Sequence, residues 1–210
     1  IKEFEIGLSL SSNHDLITLL QQKNYSLATL NQLGLASDDH DTFIDRIMFP
    51  LYDVSGKVVG FSGRIYEQNN ANKYLNTKET PIFKKGLTLY HYHIAKEATR
   101  TSKCVIVMEG FMDVIRASTI GISNTVALMG TAMTVEQANL LKRLSPNIIL
   151  CLDGDNPGKQ ATLKIGEQLL KMGIEVKVLA LDHDYDPDTY ILEFGKDRFE
   201  SLIKSEAKRS

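Results

Sequence analysis

The chain has 210 residues, 43% of them hydrophobic and 24% charged, enough to bury a core in one large domain or two small ones and to exclude disorder as the default. It contains no run of about 18 apolar residues, and its start, IKEFEIGLSL, lacks the basic and apolar regions of a secretion signal, so a soluble intracellular protein without a membrane partner is expected. A net charge of −2 argues against a uniformly basic nucleic-acid binder. Ile1 is not a methionine and SEAKRS reads as a solvated end, so a piece of a longer polypeptide is expected.

The net charge hides an uneven distribution. Residues 1–45 hold two lysines and seven acids, residues 46–103 ten Lys or Arg against four acids, and the remainder twelve against fifteen. A basic middle followed by an acidic second half suits a polyanion track beside a site for divalent cations.

In chain order, residues 13–35 predict helix. The segment DRIMFPLYDVSGKVVGFSGRIY predicts strands joined by a turn at Asp53 to Gly56, with further bends at Gly60 and Gly63. A boundary is expected near residues 95–102, where the helical patch HIAKEATRTSK meets a buried strand. From there short apolar runs alternate with helical patterns: CVIVME then FMDVIRASTIG, NTVALMG then TVEQANLLKRL, NIILCLDGD then PGKQATLKIGEQLLKMG, and finally EVKVLAL. That rhythm predicts a parallel sheet covered on both faces by helices. Thr134 and Pro157 mark helix starts, and Gly121 and Gly173 helix ends. Past residue 189, YILEFGKDRFESLIKS predicts one or two closing helices. Cys104 and Cys151 are too few for a disulfide framework or a four-cysteine zinc site, and their apolar surroundings predict buried, inert thiols.

Ligands of an open parallel sheet bind beyond the carboxyl ends of its strands, and the acids follow that rule. Glu109 ends the first strand, Asp153 and Asp155 end the third, and the fourth runs into LDHDYDPD with Asp182, Asp184, Asp186 and Asp188. Each acid alone has a local explanation as a turn, a cap or a first-turn charge. Three strands delivering acids to one edge point instead to a hard divalent cation, magnesium or manganese, because clustered carboxylates repel unless neutralised.

MEGFMDV (108–114), LDGDNPG (152–158) and DPD (186–188) together resemble the Toprim signature. Upstream, RIMFP (46–50), GFSGR (60–64), KYLNTKET (73–80) and IFKKGLTLY (82–90) resemble the basic, template-facing subdomain of DnaG-type bacterial primases. The resemblance spans nearly the whole chain. It implies an α/β fold: a mixed α/β basic subdomain over 1–100, a Toprim domain over 101–195 with a parallel sheet flanked by helices, and the start of a helical segment over 196–210.

It also implies roles. Glu109, Asp153 and Asp155 match the family's principal metal-binding and catalytic acids, and Asp113, Asp186 and Asp188 its supporting acids. Arg46, Arg64, Lys73 and Lys85 match positions that contact template or incoming nucleotide, with Tyr74 and Asn76 positioning the nucleotide. The implied reaction is Mg²⁺-dependent synthesis of short RNA primers on single-stranded DNA from nucleoside triphosphates, with Mn²⁺ as a substitute. It belongs to a cytoplasmic bacterial protein at the replication fork, monomeric as this fragment. Zinc is expected only in an N-terminal domain absent here, and contact with the replicative helicase only through an absent C-terminal domain.

Rival readings are a Toprim nuclease or topoisomerase, with Tyr66, Tyr74, Tyr90 or Tyr92 as nucleophile, and a haloacid-dehalogenase-like phosphatase built on Asp153 and Asp155. GDNPGKQ imitates a phosphate-binding loop but is one residue short between its glycines and has Gln160 where Ser or Thr should bind magnesium. His91 and His93 lack a nearby third ligand, so local packing or surface roles are expected.

Overall fold

The computed structural model describes residues 2–66, 72–130 and 132–207; part of the expected solvated end, residues 208–210, lies outside the described residues. The chain divides into two compact units, Ile1–Lys85 and Gly86–Ser210.

The first unit runs through β1 (Gly7–Leu8), α1 (Asp15–Gln22), α2 (Leu27–Gln32), β2 (Ala36–Ser37), β3 (His40–Asp41), β4 (Arg46–Tyr52), β5 (Val58–Ile65) and β6 (Tyr74–Asn76). The helical pattern of residues 13–35 is broken in two. Asn24 takes a left-handed φ of 66°, and Ser26 restarts the helix by accepting from Thr29 N at 3.1 Å. Ile17, Leu30 and Ala36 close a small core between the helices and the β2–β3 ladder. The larger sheet is antiparallel in the order β1-β4-β5-β6. Its expected turn forms as read: Gly56 has φ 83°, and Asp53 Oδ1 accepts from Ser55 N at 2.8 Å and Lys57 N at 2.9 Å.

Gly60 and Gly63 are not bends. Both lie inside continuous β5, where a Cβ at Gly63 would stand 2.7 Å from Arg46 Cδ and one at Gly60 3.2 Å from Thr77 Cβ. They make room for neighbours crossing the sheet, the second common use of glycine in a strand.

The second unit alternates as the sequence predicts: α3 (Tyr92–Ser102), β7 (Val105–Met108), α4 (Phe111–Thr119), β8 (Thr125–Ala127), α5 (Val135–Leu144), β9 (Ile148–Leu150), α6 (Asn156–Lys171), β10 (Val176–Val178) and α7 (Pro187–Ala207). The sheet is parallel, in the order β10-β9-β7-β8. Every residue of β7, β8 and β9 is buried, as covering by helices on both faces requires, while β10 is a partly exposed edge. Val107, Val126, Leu141, Leu150, Ile165 and Leu169 are central to its core. Thr134 forms a capping box with Gln137, each side chain accepting from the other's N–H at 3.0 Å. Gly121 (φ 86°) and Gly173 (φ 69°) follow the ends of α4 and α6. The closing helix is interrupted at Gly195, with φ 75° and ψ −178°.

The division at Lys85/Gly86 falls before the boundary expected at residue 100, because the intervening residues bond to the parallel-sheet unit. Tyr90 exchanges backbone hydrogen bonds with Ala127, and Gln137 Nε2 donates to Thr88 O at 2.8 Å.

Candidate functional site

The chain leaves β7 for β8 on one side, then returns past β7 to add β9 and β10 on the other. Its direction therefore reverses between β7 and β9, and the crevice beyond the carboxyl ends of those two strands is the topological switch point. Glu109 follows β7 directly, and Asp153 and Asp155 follow β9.

Backbone packing brings the acids from β10 to the same place. Gly154 N donates to Tyr185 O at 2.8 Å, and a Cβ at Gly154 would lie 2.0 Å from Asp182 O. A Cβ at Gly158 would lie 2.1 Å from Asp153 O. The glycines of LDGDNPG thus let this loop press against LDHDYDPD on one side and its own helix on the other. Asp155 caps α6 by accepting from Gly158 N at 2.7 Å.

Glu109 Oε1 and Asp153 Oδ1 are buried and have no hydrogen-bond partner. Burial, and then the charges of Asp153 and Asp155, push the Glu109 carboxyl up from 4.5 to about 7. Burial, with Asp186 and Asp155, pushes Asp153 from 3.8 to about 6. Asp113, on α4, is only 5% exposed. Its carboxyl is pushed up to about 7, chiefly by burial, while accepting from Gly110 N at 2.9 Å and Asp188 N at 3.2 Å.

Two buried carboxylate oxygens without partners, amid further carboxylates, fit a hard divalent cation. The nearby Cys151 thiol is pushed far up by complete burial, so it adds no soft ligand. No three of these acids bring ligand atoms within 4.8 Å of one another. The cluster is looser than a closed coordination shell.

The supporting acids are already engaged. Asp186 Oδ1 accepts from Thr189 N at 2.7 Å and Thr189 Oγ1 at 2.6 Å at the start of α7. Asp188 Oδ1 accepts from Arg116 Nε at 2.6 Å, in an ion pair with both side chains partly buried. Arg116, three residues after Asp113 on α4, escaped the sequence reading. A lone arginine in an amphipathic helix carries no local signal, and its partner lies 72 residues away.

In the first unit, ladder pairing sets three of the expected residues, Arg64, Tyr74 and Asn76, in a strip. Arg64 pairs with Tyr74 and Ser62 with Asn76 across β5 and β6, so these four side chains share a face. The Arg64 guanidinium stands 5.7 Å from the Tyr74 ring centroid. Ser62 Oγ and Asn76 Oδ1 are buried without hydrogen-bond partners, and sequence reasoning passed over Ser62. Lys73 and Lys85 are exposed.

Arg46 differs from the exposed cation its motif suggests. It is 8% exposed, and its Nη1 donates to the carbonyls of Gly63 and Asn72, both at 3.1 Å. A guanidinium tied to two carbonyls across neighbouring strands helps to hold the sheet.

His91 is buried, with Nδ1 3.0 Å from Thr125 O, in the packing role expected of it. The phosphate-loop look-alike is the cap and first turn of α6. Cys151 is buried as expected, but Cys104 is only partly so, with Sγ accepting from Asn124 Nδ2 at 3.3 Å and its thiol pushed up mainly by burial. None of the described helices is long and apolar enough to cross a membrane.

Residues 1–96 match the family described as DNA primase catalytic core, N-terminal domain, and residues 103–180 match the Toprim domain. A DNA primase of Staphylococcus aureus (strain COL) is 41% identical over 214 residues, covering 99% of this chain and 36% of that protein. The chain therefore spans about a third of the length of the curated relatives it matches. The solved E. coli primase catalytic core is 32% identical, with a TM-score of 0.88 over 98% of this chain and 68% of that one. A DnaG primase catalytic domain solved bound to single-stranded DNA is 33% identical, with a TM-score of 0.86 over 98% of this chain and 66% of that one. Matched along both units and covering two thirds of a solved primase core, the chain belongs to the DnaG family of bacterial primases.

Proposed function

We propose that this chain is the catalytic core of a primase that makes short RNA primers on single-stranded DNA, with magnesium as its cation and manganese able to substitute. The observation that carries this reading is the pair of partnerless buried oxygens, Glu109 Oε1 and Asp153 Oδ1, at the switch point of the parallel sheet. The primase names of its relatives favour it over a Toprim nuclease, a topoisomerase or a phosphatase.

In the proposed reaction a ribose 3′-hydroxyl attacks the α-phosphorus of a nucleoside triphosphate and pyrophosphate leaves. Bound magnesium supplies positive charge that stabilises the attacking and leaving oxygens of that in-line displacement. Glu109, Asp153 and Asp155 hold it, with Asp113, Asp186 and Asp188 in support. Arg64, Lys73 and Lys85 bind template and triphosphate phosphates, with Arg46 behind them, while Tyr74 and Asn76 position the incoming nucleotide. The whole protein works in the bacterial cytoplasm at the replication fork. There a zinc-bearing N-terminal domain and a helicase-docking C-terminal domain flank this core.

The test is primer extension in magnesium by Glu109→Gln and Asp153→Asn variants. Both should unfold in a single cooperative transition and fail to extend primers. Wild-type activity in both would overturn the assignment.

A further inference from the structure

The acidic character of residues 1–45 plays no part in the site above, and one of its acids, Asp39, stands beside two histidines at the surface. His14 immediately precedes α1, and Asp39 and His40 lie at the β2–β3 turn. Each offers one ligand atom, and the three atoms lie within 4.8 Å of one another, which no other trio of His, Cys, Asp or Glu among the described residues does. The two imidazole rings stand 5.1 Å apart, tilted by 53°, and His40 Nδ1 is 2.6 Å from Asp39 Oδ1.

The backbone around them is pinned. Asp41 accepts from Leu16 N at 2.8 Å and Ile17 N at 2.9 Å, and its own N–H donates to Asn13 O at 2.7 Å. Those bonds clamp β3 to the start of α1, so the residue after Asn13 and the residue before Asp41 sit side by side. Asn31 fixes the hairpin turn: Nδ2 donates to Asp38 O at 2.7 Å and Oδ1 accepts from Asp38 N at 2.8 Å, where Asp38 has a left-handed φ of 57°. His14 Nδ1 lies 2.7 Å from Asn13 Oδ1. With the proton on Nδ1, that contact orients the ring and leaves the Nε2 lone pair for a cation.

We propose that His14, Asp39 and His40 form a surface site for a borderline first-row divalent cation of the zinc class, which ties α1 to the β2–β3 hairpin. Two imidazoles and one carboxylate suit such an ion, whereas magnesium and calcium favour all-oxygen shells. Three protein ligands leave the fourth tetrahedral position to water. All three residues are exposed, so their side chains have room to turn toward a common ion. A cation bridging two elements of the fold, and not the unfolded chain, raises the melting temperature by mass action.

The test is calorimetric titration of zinc chloride into the chain carrying Glu109→Gln and Asp153→Asn, which weakens cation uptake at the parallel-sheet edge. One zinc per chain is expected, with a zinc-dependent rise in Tm, and both disappear when His14→Ala and His40→Gln are added. The His14 side chain makes no capping hydrogen bond, so its removal leaves the helix start intact. Asp39→Asn alone should weaken binding about tenfold or more, and cobalt(II) should show the visible bands of a low-coordinate site only while both histidines are present. Zinc uptake of unchanged stoichiometry and affinity in the histidine variants, or no uptake at all, would sink the site. Neither result touches the primase reading, whose readout is primer extension.

Discussion

In the parallel sheet β10-β9-β7-β8 the candidate groups lie past the strand ends, on loops and the first turns of helices. In the antiparallel sheet β1-β4-β5-β6 they lie on the strands themselves, at the paired positions Arg64–Tyr74 and Ser62–Asn76. The reason is burial. Every residue of β7, β8 and β9 is inside the core, so those strands have no side chain to offer a ligand, whereas β6 is only partly buried. The glycines divide the same way. Gly154 and Gly158 abut backbone carbonyls, while Gly60 and Gly63 abut the side chains of Thr77, Phe83, Phe43 and Arg46. Backbone cannot rotate away and a long side chain can, so the loop-built site should tolerate change less than the strand-built strip.

The largest effect that sharpens this contrast is on catalysis. Glu109→Gln or Asp153→Asn should lower the rate of primer extension by roughly 10²–10³, the size of effect seen when one preorganised electrostatic stabiliser is removed from an active site. Steady-state rates in magnesium check it. Next is Gly154→Ala, which places a Cβ 2.0 Å from Asp182 O and should cost about 1–3 kcal/mol as an overpacking change. Gly63→Ala, whose nearest conflict is the 2.7 Å approach to Arg46 Cδ, should cost less, because that side chain can give. Denaturant midpoints of the two variants rank them, and equal midpoints would break the comparison.

Gly60 and Gly63 also show where legibility ended. A bend and a close approach both need glycine, so the letters G-x-x-G inside an apolar run cannot separate them. The alternation of buried strand and helix was readable because period and length agree, and with it the edge to which Glu109, Asp153 and Asp155 go. Arg46 was readable as a cation but not as a buried one, since burial depends on Gly63 and the carbonyls facing it. Arg116–Asp188 and His14–His40 join residues far apart in the chain and leave no local trace.

The pH dependence of stability follows from the sign of the shifts in the loop-built site. Glu109 and Asp113 are pushed up to about 7 and Asp153 to about 6 from ordinary values of 4.5, 3.8 and 3.8. The folded state therefore holds these protons more tightly than the unfolded chain. Their stabilising contribution is full below about pH 4 and lost as pH rises through 6 to 7. Without divalent cation, Glu109→Gln should melt above the wild type at pH 8, and this gain should vanish by pH 4. Melting curves across that range check it, and a gain that persists at pH 4 would assign the effect to something other than the carboxyl proton.

A smaller effect belongs to the first unit. Arg64→Ala and Lys73→Ala should each weaken single-stranded DNA binding and lower the slope of log K against log salt by about 0.7, the value for one phosphate contact to a single strand. Fluorescence titrations at several salt concentrations check it. Arg46→Ala should act differently, lowering the melting temperature first, because its guanidinium bonds to backbone inside the sheet.

The smallest effect returns to the parallel-sheet unit. Arg116 touches no reacting group; it holds Asp188, whose N–H in turn donates to Asp113. Arg116→Ala removes the ion pair that fixes the Asp188 side chain beside Asp113, so the start of α7 loosens. Because the pair is partly exposed, the loss should be a few-fold in primer extension and about 1 kcal/mol or less in stability. Arg116→Lys should recover part of it, since charge is restored without the guanidinium geometry. The loss should also shrink as magnesium is raised, because added cation charge offsets the missing arginine. A loss that ignores magnesium would mean that Arg116 serves α4–α7 packing alone.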